Sequence, residues 1–423
     1  MLYYIGFGSN LGEREHLIRR AIRMMAEQLG KLLGEASFFY SEPVGFVSEH
    51  EFCNTVALYD SQLLPMQVLA KAQEVEQLLG RPKHKPVVLH GSREYTDRLI
   101  DIDLLMAYDN GMEVHIDTPT LTLPHPQMAV REFVQRPLQE LICRIVNQAD
   151  IPFIKMHGLG NDYIYFDCTR DTQALVLLPA VMTYASLLCD RHRSIGGDGL
   201  VFILPDREAD LRMRIFNADG SEAEMCGNAA RCVGYYAVRR HLVADQHLRL
   251  ATKGGERLIE VQDQEHISVR MGSPVYSGSQ EIGGRTYHCV DVGNPHAVTF
   301  LQDNEALTRE LVHTVGPQIE TAPVFPNRTN VEFCVVLDRH HAAMRVWERG
   351  SGETQACGTG ATATAFACIL QRLCDSPVTI TLLGGNLTIT LDGNDAIMTG
   401  SATIAYTGLV HITYCPDIHN NRK

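Results

Sequence analysis

Two stretches of this chain carry the same arrangement of reactive groups. Arg214 to Ala230 reads Arg-Ile-Phe-Asn-Ala-Asp-Gly-Ser-Glu-Ala-Glu-Met-Cys-Gly-Asn-Ala-Ala, and 131 residues later Arg345 to Ala361 reads Arg-Val-Trp-Glu-Arg-Gly-Ser-Gly-Glu-Thr-Gln-Ala-Cys-Gly-Thr-Gly-Ala, with no insertion or deletion. In each copy a strand-like triplet enters a polar, Gly-containing turn, a Glu stands four residues ahead of Cys-Gly, and small helix-compatible residues follow. Cys226 and Cys357 therefore sit where a loop becomes a helix. Free backbone N–H groups and the positive end of the helix dipole at such a place bind carboxylates and lower a thiol's pKa. A lone cysteine is more often an inert small hydrophobe, and the other ten cysteines lack this context; recurrence in register argues for function in these two. Duplicated lobes facing each other across a pseudo-twofold axis would place the two thiols on opposite sides of one carbon. Inverting a stereocentre needs that, because one side must remove a proton and the other return one.

A second constellation lies in Arg98-Leu-Ile-Asp-Ile-Asp-Leu-Leu105. Strand alternation puts Asp101 and Asp103 on one face and Ile100, Ile102 and Leu104 on the other. With a basic stretch upstream (Arg81, Lys83, His84, Lys85, Arg93), two carboxylates on one face make a hard-oxygen site suited to Mg²⁺ between a nucleotide's phosphates. An Asp-x-Asp pair alone is a weak signal; a solvated strand face explains it equally well.

The elements that must position these groups follow from periodicity. Leu2–Phe7 reads as a strand, the turn Gly8–Gly12 leads to a helix over Glu13–Leu29, Phe38–Tyr40 and Thr55–Tyr59 read as strands, and Leu64–Leu79 as a second helix stopping at Gly80-Arg81-Pro82. With the Asp-x-Asp strand, this β-α-β-β-α-β order predicts a ferredoxin-like α+β sandwich. Gln139–Val146 closes that unit as a helix, over residues 1–147. A linker of only five residues, 148–152, predicts a nearly fixed join to a second unit. There the lobes are expected over 153–266 and 267–423, with the last strands free to return to the first lobe. Asn161 stands 65 residues before Cys226, and Asn294 stands 63 before Cys357.

Residues 152 to 423 resemble the diaminopimelate epimerase family. The resemblance rests on Lys155-Met-His-Gly-Leu-Gly-Asn-Asp162, Asn217-Ala-Asp-Gly-Ser221, Met225-Cys-Gly-Asn228, Gly293-Asn-Pro-His296, Asn330, and Glu348-Arg349 through Cys357-Gly-Thr-Gly360. Each lobe is expected from this resemblance to be a β-sheet or barrel around a central helix. The resemblance implies cofactor-independent epimerisation of LL- to meso-diaminopimelate, in lysine and peptidoglycan synthesis, with Cys226 and Cys357 exchanging the α-proton. His296 and Glu348 would assist, and the N–H groups of Gly227, Asn228, Gly358 and Thr359 would bind the α-carboxylate. Asn161, Asn217, Asn294, Asn330, Glu348 and Arg349 would hold the rest of the substrate. Ser194 replaces a glycine usual in the family, so that turn must adopt an angle serine tolerates. A related proline or hydroxyproline racemase is the competing reading of the same thiol pair.

Residues 1 to about 147 resemble 6-hydroxymethyl-7,8-dihydropterin pyrophosphokinase of folate synthesis, through Gly8-Ser-Asn-Leu11, Pro43-Val-Gly45, Phe52-Cys-Asn54, the Asp-x-Asp strand, Leu123-Pro-His-Pro126 and Arg131-Glu-Phe133. The resemblance implies Mg²⁺-dependent transfer of pyrophosphate from ATP to the pterin. Asp101 and Asp103 would hold two Mg²⁺ ions, Arg98, His125 and Arg131 would face the phosphates, Asn54 would bond the pterin, and Phe52 and Phe133 would stack on it. The loop from Gly80 to Arg98 lacks the family's tryptophan and is longer, leaving His90, Gly91 and Ser92 without assignment. A binding module without kinase activity is the alternative for this unit.

Composition sets bounds. With 37 basic and 50 acidic residues the net charge of −13 disfavours nucleic acid and anionic membrane as partners. The absence of a leader-like or membrane-spanning apolar run, and twelve cysteines without a disulfide-framework spacing, predict a cytoplasmic protein with small-molecule substrates. Oligomeric state stays open, a homodimer included.

Overall fold

The computed structural model describes residues 1–81, 96–302 and 305–413, with backbone alone at 88–89 and 92–93. The chain forms two compact units: the first is Met1–Ile151 with Gln173–Ala180 and the chain's end from His411, and the second is Pro152–Thr172 with Val181–Val410. Lys83, His84, Lys85, His90 and Gly91 lie outside the described residues, as do the side chains of Ser92 and Arg93.

In the first unit β1 (Leu2–Ser9), α1 (Arg14–Leu29), β2 (Gly30–Glu35), β3 (Phe39–Ser41), β4 (Phe52–Ser61), α2 (Pro65–Leu78), β5 (Asp101–Asp109), β6 (Met112–Glu113) and α3 (Glu132–Asn147) follow in order. The sheet runs β2-β4-β1-β5-β6, with β3 added to β4. The central strand β1 is antiparallel to both β4 and β5. Ile18, Ala21, Ile22, Met25 and Leu29 of α1 are buried at helical spacing against the sheet, in one core with Tyr3, Ile5, Phe7, Tyr59 and Ile102. Gly6 and Gly8 stand opposite Asp103 and Asp101 in register, and the two carboxylates share a face while Ile102 and Leu104 enter the core. The short strand β2 was not expected from its Gly-containing sequence. α3 starts seven residues before Gln139, and Pro137 is buried inside it.

β7 (Asp150–Gly158) begins at the end of the first unit and continues into the second, so most of the expected linker, residues 150–152, is strand: alternation of buried Ile151 and Phe153 with exposed neighbours continues the pleat. The first lobe continues with β8 (Asn161–Asp167), α4 (Val181–Cys189), β9 (Gly199–Leu204), β10 (Leu211–Asn217) and α5 (Gly227–Arg239). The second contains β11 (Pro295–Phe300), α6 (Arg309–Glu320), β12 (Asn330–Asp338), β13 (His341–Glu348), α7 (Gly358–Leu370), β14 (Asp395–Gly400) and β15 (Thr403–His411). Each repeats one pairing scheme: β8 is parallel to β9 and β9 antiparallel to β10, as β11 is parallel to β12 and β12 antiparallel to β13. α5 and α7 are the interior helices, buried almost all round because small residues line them. β14 and β15 come back to first-lobe elements: Arg231 of α5 donates to the Ser401 carbonyl at 3.2 Å, and Tyr406 meets Phe153 edge-on at 6.0 Å. In the turn before β9 the left-handed residue is Gly196, at φ 76°, and not Ser194.

Gly199 sets the β9–β10 register, because a Cβ there would lie 2.1 Å from the Phe216 carbonyl oxygen. Gly199→Ala is expected to cost about 1–3 kcal/mol as the strands part to admit the methyl group. Urea unfolding measures it; an unchanged midpoint would mean that this close approach does not hold the lobe together.

Candidate active site

In both lobes a strand ends, a Gly-containing turn reverses the chain, and a cysteine in extended conformation caps the interior helix. Cys226 (φ −138°, ψ 119°) precedes α5 and Cys357 (φ −119°, ψ 111°) precedes α7. The two helix N-termini meet: a Cβ on Gly358 would lie 3.8 Å from the Gly227 Cα. Met398 of β14 fills the space behind both, with its Cε 2.6 Å from a Cβ placed on Gly227 and its Sδ 2.8 Å from one on Gly358, so a side chain at either position would have to displace the Met398 thioether. Unsatisfied N–H groups of two helices thus converge, a ready anion site. The Gly360 N–H already donates to the Cys357 sulfur at 3.3 Å, and the Cys226 sulfur faces Asn161 Oδ1 at 3.5 Å. Both are free thiols; Cys143, elsewhere, is disulfide-bonded, although the cysteine spacing suggested no disulfide framework.

The thiols share surroundings but not charge. Burial pushes Cys226 up; the Ala229 N–H and the Tyr163 hydroxyl pull it back, and Glu348 raises it again. Burial pushes Cys357 well above the thiol range, and Glu348 and Glu332 both add to the rise. One carboxylate, Glu348, raises both sulfurs. Burial raises the Glu348 carboxyl too, against a hydrogen bond from the Thr354 hydroxyl. His296 is buried between Glu332 Oε1, 2.6 Å from Nδ1, and Asn294 Oδ1, 2.9 Å from Nε2.

The carboxylates of the first unit form a different site. Asp101 is held by two arginines, with Oδ1 accepting from Arg81 at 2.6 Å and Oδ2 from Arg98 at 2.8 Å. Arg81 also reaches Glu76, which accepts the Ile102 N–H at 2.9 Å. Burial, reinforced by Asp101, pushes Asp103 up to about 7, against Arg131, Arg98 and Arg81. This is a site short of positive charge. Its hard oxygen donors fit Mg²⁺, which typically uses one or two carboxylates when phosphates complete its shell. Arg98 lies over the Phe52 ring at 5.4 Å and Arg131 over Phe133 at 5.5 Å. Asn54 is buried, donating to Ser41 Oγ at 3.1 Å, and a Cβ on Gly8 would come within 3.1 Å of its Oδ1. His125 follows the cis Leu123–Pro124 bond, and its N–H donates to the Leu105 carbonyl at 2.7 Å.

Residues 153–277 and 288–405 match the family model for diaminopimelate epimerase, more than half of the chain. The chain belongs to the diaminopimelate epimerase family. Residues 4–143 match the model for 7,8-dihydro-6-hydroxymethylpterin-pyrophosphokinase, so the chain joins an isomerase to a transferase of folate synthesis. A diaminopimelate epimerase of Acetivibrio thermocellus is 42% identical over 283 residues, covering 62% of this chain and 98% of its own length. That of Pseudomonas syringae pv. tomato is 44% identical over 280 residues, covering 62% and 99%. A crystal structure of a Bacillus anthracis phenazine biosynthesis protein of the PhzF family aligns with 62% of this chain and all of its own, at TM-score 0.47 and 18% identity.

Within the epimerase-family unit the expected residues divide. Cys226, Asn161, Asn228, Glu348, Cys357, Thr359, Asn294 and His296 are linked by contacts or charge around the two helix ends. Asn217 bonds Ser221 at 3.0 Å in the exposed turn, and the Arg349 guanidinium is exposed, donating to the Asn327 carbonyl at 3.2 Å. Asn330 spends its amide on backbone, donating to the Pro295 carbonyl at 2.8 Å and accepting the Arg349 N–H at 2.9 Å. Two functional carboxylates escaped sequence reasoning. Glu320 of α6 fixes the turn after β13 by accepting from Trp347 Nε1 at 2.8 Å and the Gly350 N–H at 2.9 Å. Glu332 is fully buried beside His296, and its Oε2 has no hydrogen-bond partner among the described residues. Its signal was alternation, since it follows Asn330 by two on one strand.

Glu332 raises Cys357, so Glu332→Gln is expected to lower the pH at which Cys357 is alkylated by iodoacetamide by about one unit. Peptide mapping against pH reads it. An unshifted profile would show that the Glu332 charge does not reach the thiol.

Proposed function

We propose that the chain is a bifunctional enzyme: it epimerises LL- to meso-diaminopimelate through Cys226 and Cys357 without a cofactor, and it transfers pyrophosphate from ATP to 6-hydroxymethyl-7,8-dihydropterin with Mg²⁺. The observation that carries the epimerase reading is the meeting of two cysteine-capped helix N-termini at Gly227 and Gly358. A substrate α-carboxylate bound there by the N–H groups of Gly227, Asn228, Gly358 and Thr359 would place its α-carbon between the sulfurs. One thiolate takes the α-proton, the carbanion's charge spreads onto the carboxylate facing the helix ends, and the opposite thiol delivers its proton to the other face. That delivery leaves the first sulfur protonated and the second ionised, so successive turnovers in opposite directions exchange roles. The lower-lying thiol, Cys226, is the natural thiolate for the first proton; Cys357, beside Glu348 and Glu332, is the natural donor. Asn217 and Arg349, at the exposed edge, suit the distal amino and carboxylate groups and favour a long diacid over proline.

For the first unit the reading rests on Asp101 and Asp103 on one strand face with Arg81, Arg98 and Arg131 around them. The order β1-α1-β2-β4-α2-β5, to which β3 is added, and the sheet order β2-β4-β1-β5 support a ferredoxin-like sandwich. Asp101 and Asp103 would hold Mg²⁺, whose chemistry there is neutralising phosphate charge. Arg98, His125 and Arg131 would orient the phosphates, Asn54 would fix the pterin, and Phe52 and Phe133 would exclude water from it. No helix among the described residues is long and apolar enough to cross a membrane. Small-molecule substrates and a cytoplasmic setting complete the reading.

Two experiments test it. In D₂O the wild-type chain should incorporate deuterium at the α-carbon of LL-diaminopimelate and not of proline, and Cys226→Ala and Cys357→Ala should each lower epimerisation by at least about 10³-fold. Substantial turnover in either variant would refute the two-thiol mechanism. With ATP and the pterin, AMP release should fall at least about 10²-fold in Asp101→Ala; release indifferent to that substitution, or none from the wild type, would leave the first unit a binding module.

A further inference from the structure

The largest fully buried side chain of the protein is a charged one, Arg231 of α5, at 0% exposure. Its Nη2 donates to Asn228 Oδ1 at 2.9 Å, its Nε to the Ser401 carbonyl at 3.2 Å, and its Nη1 faces Met398 Sδ at 3.5 Å. Among the described residues no carboxylate pairs with it. A cation taken out of water without a counter-ion is costly, and arginine does not escape by losing its proton. The surroundings are nonetheless built to admit it: a Cβ on Gly158 would lie 2.9 Å from Nη2, and one on Gly400 would lie 3.4 Å from Cζ.

Its contacts lead to the site from two directions. Met398, against Nη1, is the side chain packed behind Gly227 and Gly358. Asn228, against Nη2, donates to Asn161 Oδ1 at 3.2 Å, the oxygen that faces the Cys226 sulfur, and to the Ala356 carbonyl at 3.1 Å, next to Cys357 in the other lobe. The duplication supplies a control. Residue 362, which is 131 positions after 231, is a threonine that bonds the Gly358 carbonyl within its own helix at 2.9 Å. The first lobe holds a buried cation behind its cysteine; the second does not.

We propose that Arg231 is a positioning residue of the epimerase site: its uncompensated charge favours negative charge at Cys226 and at the carboxylate held by the helix ends, and its fork fixes Asn228 across the two lobes. This rests on the two-thiol reading above. The guanidinium is left without an anion in the free enzyme and gains one when Cys226 ionises or a carboxylate arrives. Burial pulls the Arg231 pKa down, and Cys232 and Cys226 push it back up. The other ionisable groups near Cys226, namely Tyr163 and Tyr165 of β8, Cys232 of α5, Glu348 of β13 and Asp198 before β9, are neutral or negative.

Arg231→Met keeps much of the volume and removes the charge. It should melt at or above the wild-type temperature, because replacing a buried charge by an apolar side chain is often neutral or stabilising. Yet it should lower kcat with diaminopimelate by about 10²-fold or more, with a smaller change in KM. Iodoacetamide modification of Cys226 should need a pH about one unit higher, while Cys357 is less affected. Arg231→Lys, which keeps the charge and loses the fork, should retain the Cys226 profile and still lose turnover. Wild-type turnover in Arg231→Met, or a Cys226 profile that stays put in it, would overturn the proposal. If Arg231→Met does not fold, a shifted Cys226 profile in Arg231→Lys would overturn it. A wild-type chain that fails to exchange the α-proton refutes the two-thiol reading instead, and the alkylation profiles, which need no substrate, keep the two failures apart.

Discussion

Two helix N-termini are pressed together at Gly227 and Gly358, and most of the epimerase-family unit follows from that contact. Backbone can approach this closely only where side chains are absent, and Met398 packs so tightly behind both positions that a methyl group at either would collide with it. Small residues run on through α5 and α7, so both helices can be interior ones, enclosed by strands on all sides. The reward for burying two helix starts is a set of N–H donors aimed at one point, with no side chain that must be ordered to supply them. Positive potential made this way is preorganised, and it serves a reaction in which charge grows on a carboxylate.

The two lobes repeat in backbone and differ in charge. At matching places the first has Tyr163, Val201, Asn217 and Arg231, and the second His296, Glu332, Glu348 and Thr362. A perfectly symmetrical site would give two thiols of equal acidity and no preference for which holds the proton. The carboxylates gather beside Cys357 and keep it protonated, while a buried guanidinium lies behind Cys226. Duplication supplies the mirrored geometry, and divergence after duplication supplies a difference in charge that, in the proposed mechanism, would let one sulfur begin as base and the other as acid.

Much of this was legible in the sequence because it is local. The Cys-Gly turns, the alternation of Asp101 and Asp103 and the amphipathic spacing of α1 are each contained in a dozen residues. What escaped reading depends on burial, which a single sequence does not print. Glu332 lies between Val331 and Phe333 in a strand that otherwise reads as apolar, and Arg231 lies in a helix where a basic residue usually marks the solvent face. Asn330, expected to hold substrate, also holds the Arg349 backbone in place, a second role its sequence context does not print. The helix expected over Gln139–Val146 begins earlier, at Glu132, with the Pro137 ring buried inside it, so packing outweighs the lost hydrogen bond. The strand β7 took up the expected linker because Ile151 had an apolar place to go.

Both units face one electrostatic problem, the concentration of negative charge in a chain that is itself acidic, and they meet it differently. In the first, burial, reinforced by the charge of Asp101, drives Asp103 up to about 7, and the guanidiniums of Arg81 and Arg98 occupy Asp101. Side chains at the end of long stems can swing from a carboxylate to an arriving phosphate, which suits the metal-assisted pyrophosphate transfer proposed for this unit. In the second, the positive elements are helix ends and a guanidinium locked between Gly158 and Gly400, none of which can move away. A fixed field is what proton exchange at one carbon requires, because the carboxylate stays put and only a proton crosses. The cations of the first site sit on long side chains and those of the second are built into the fold, which matches a charge that would travel in the one proposed reaction and stay in place in the other.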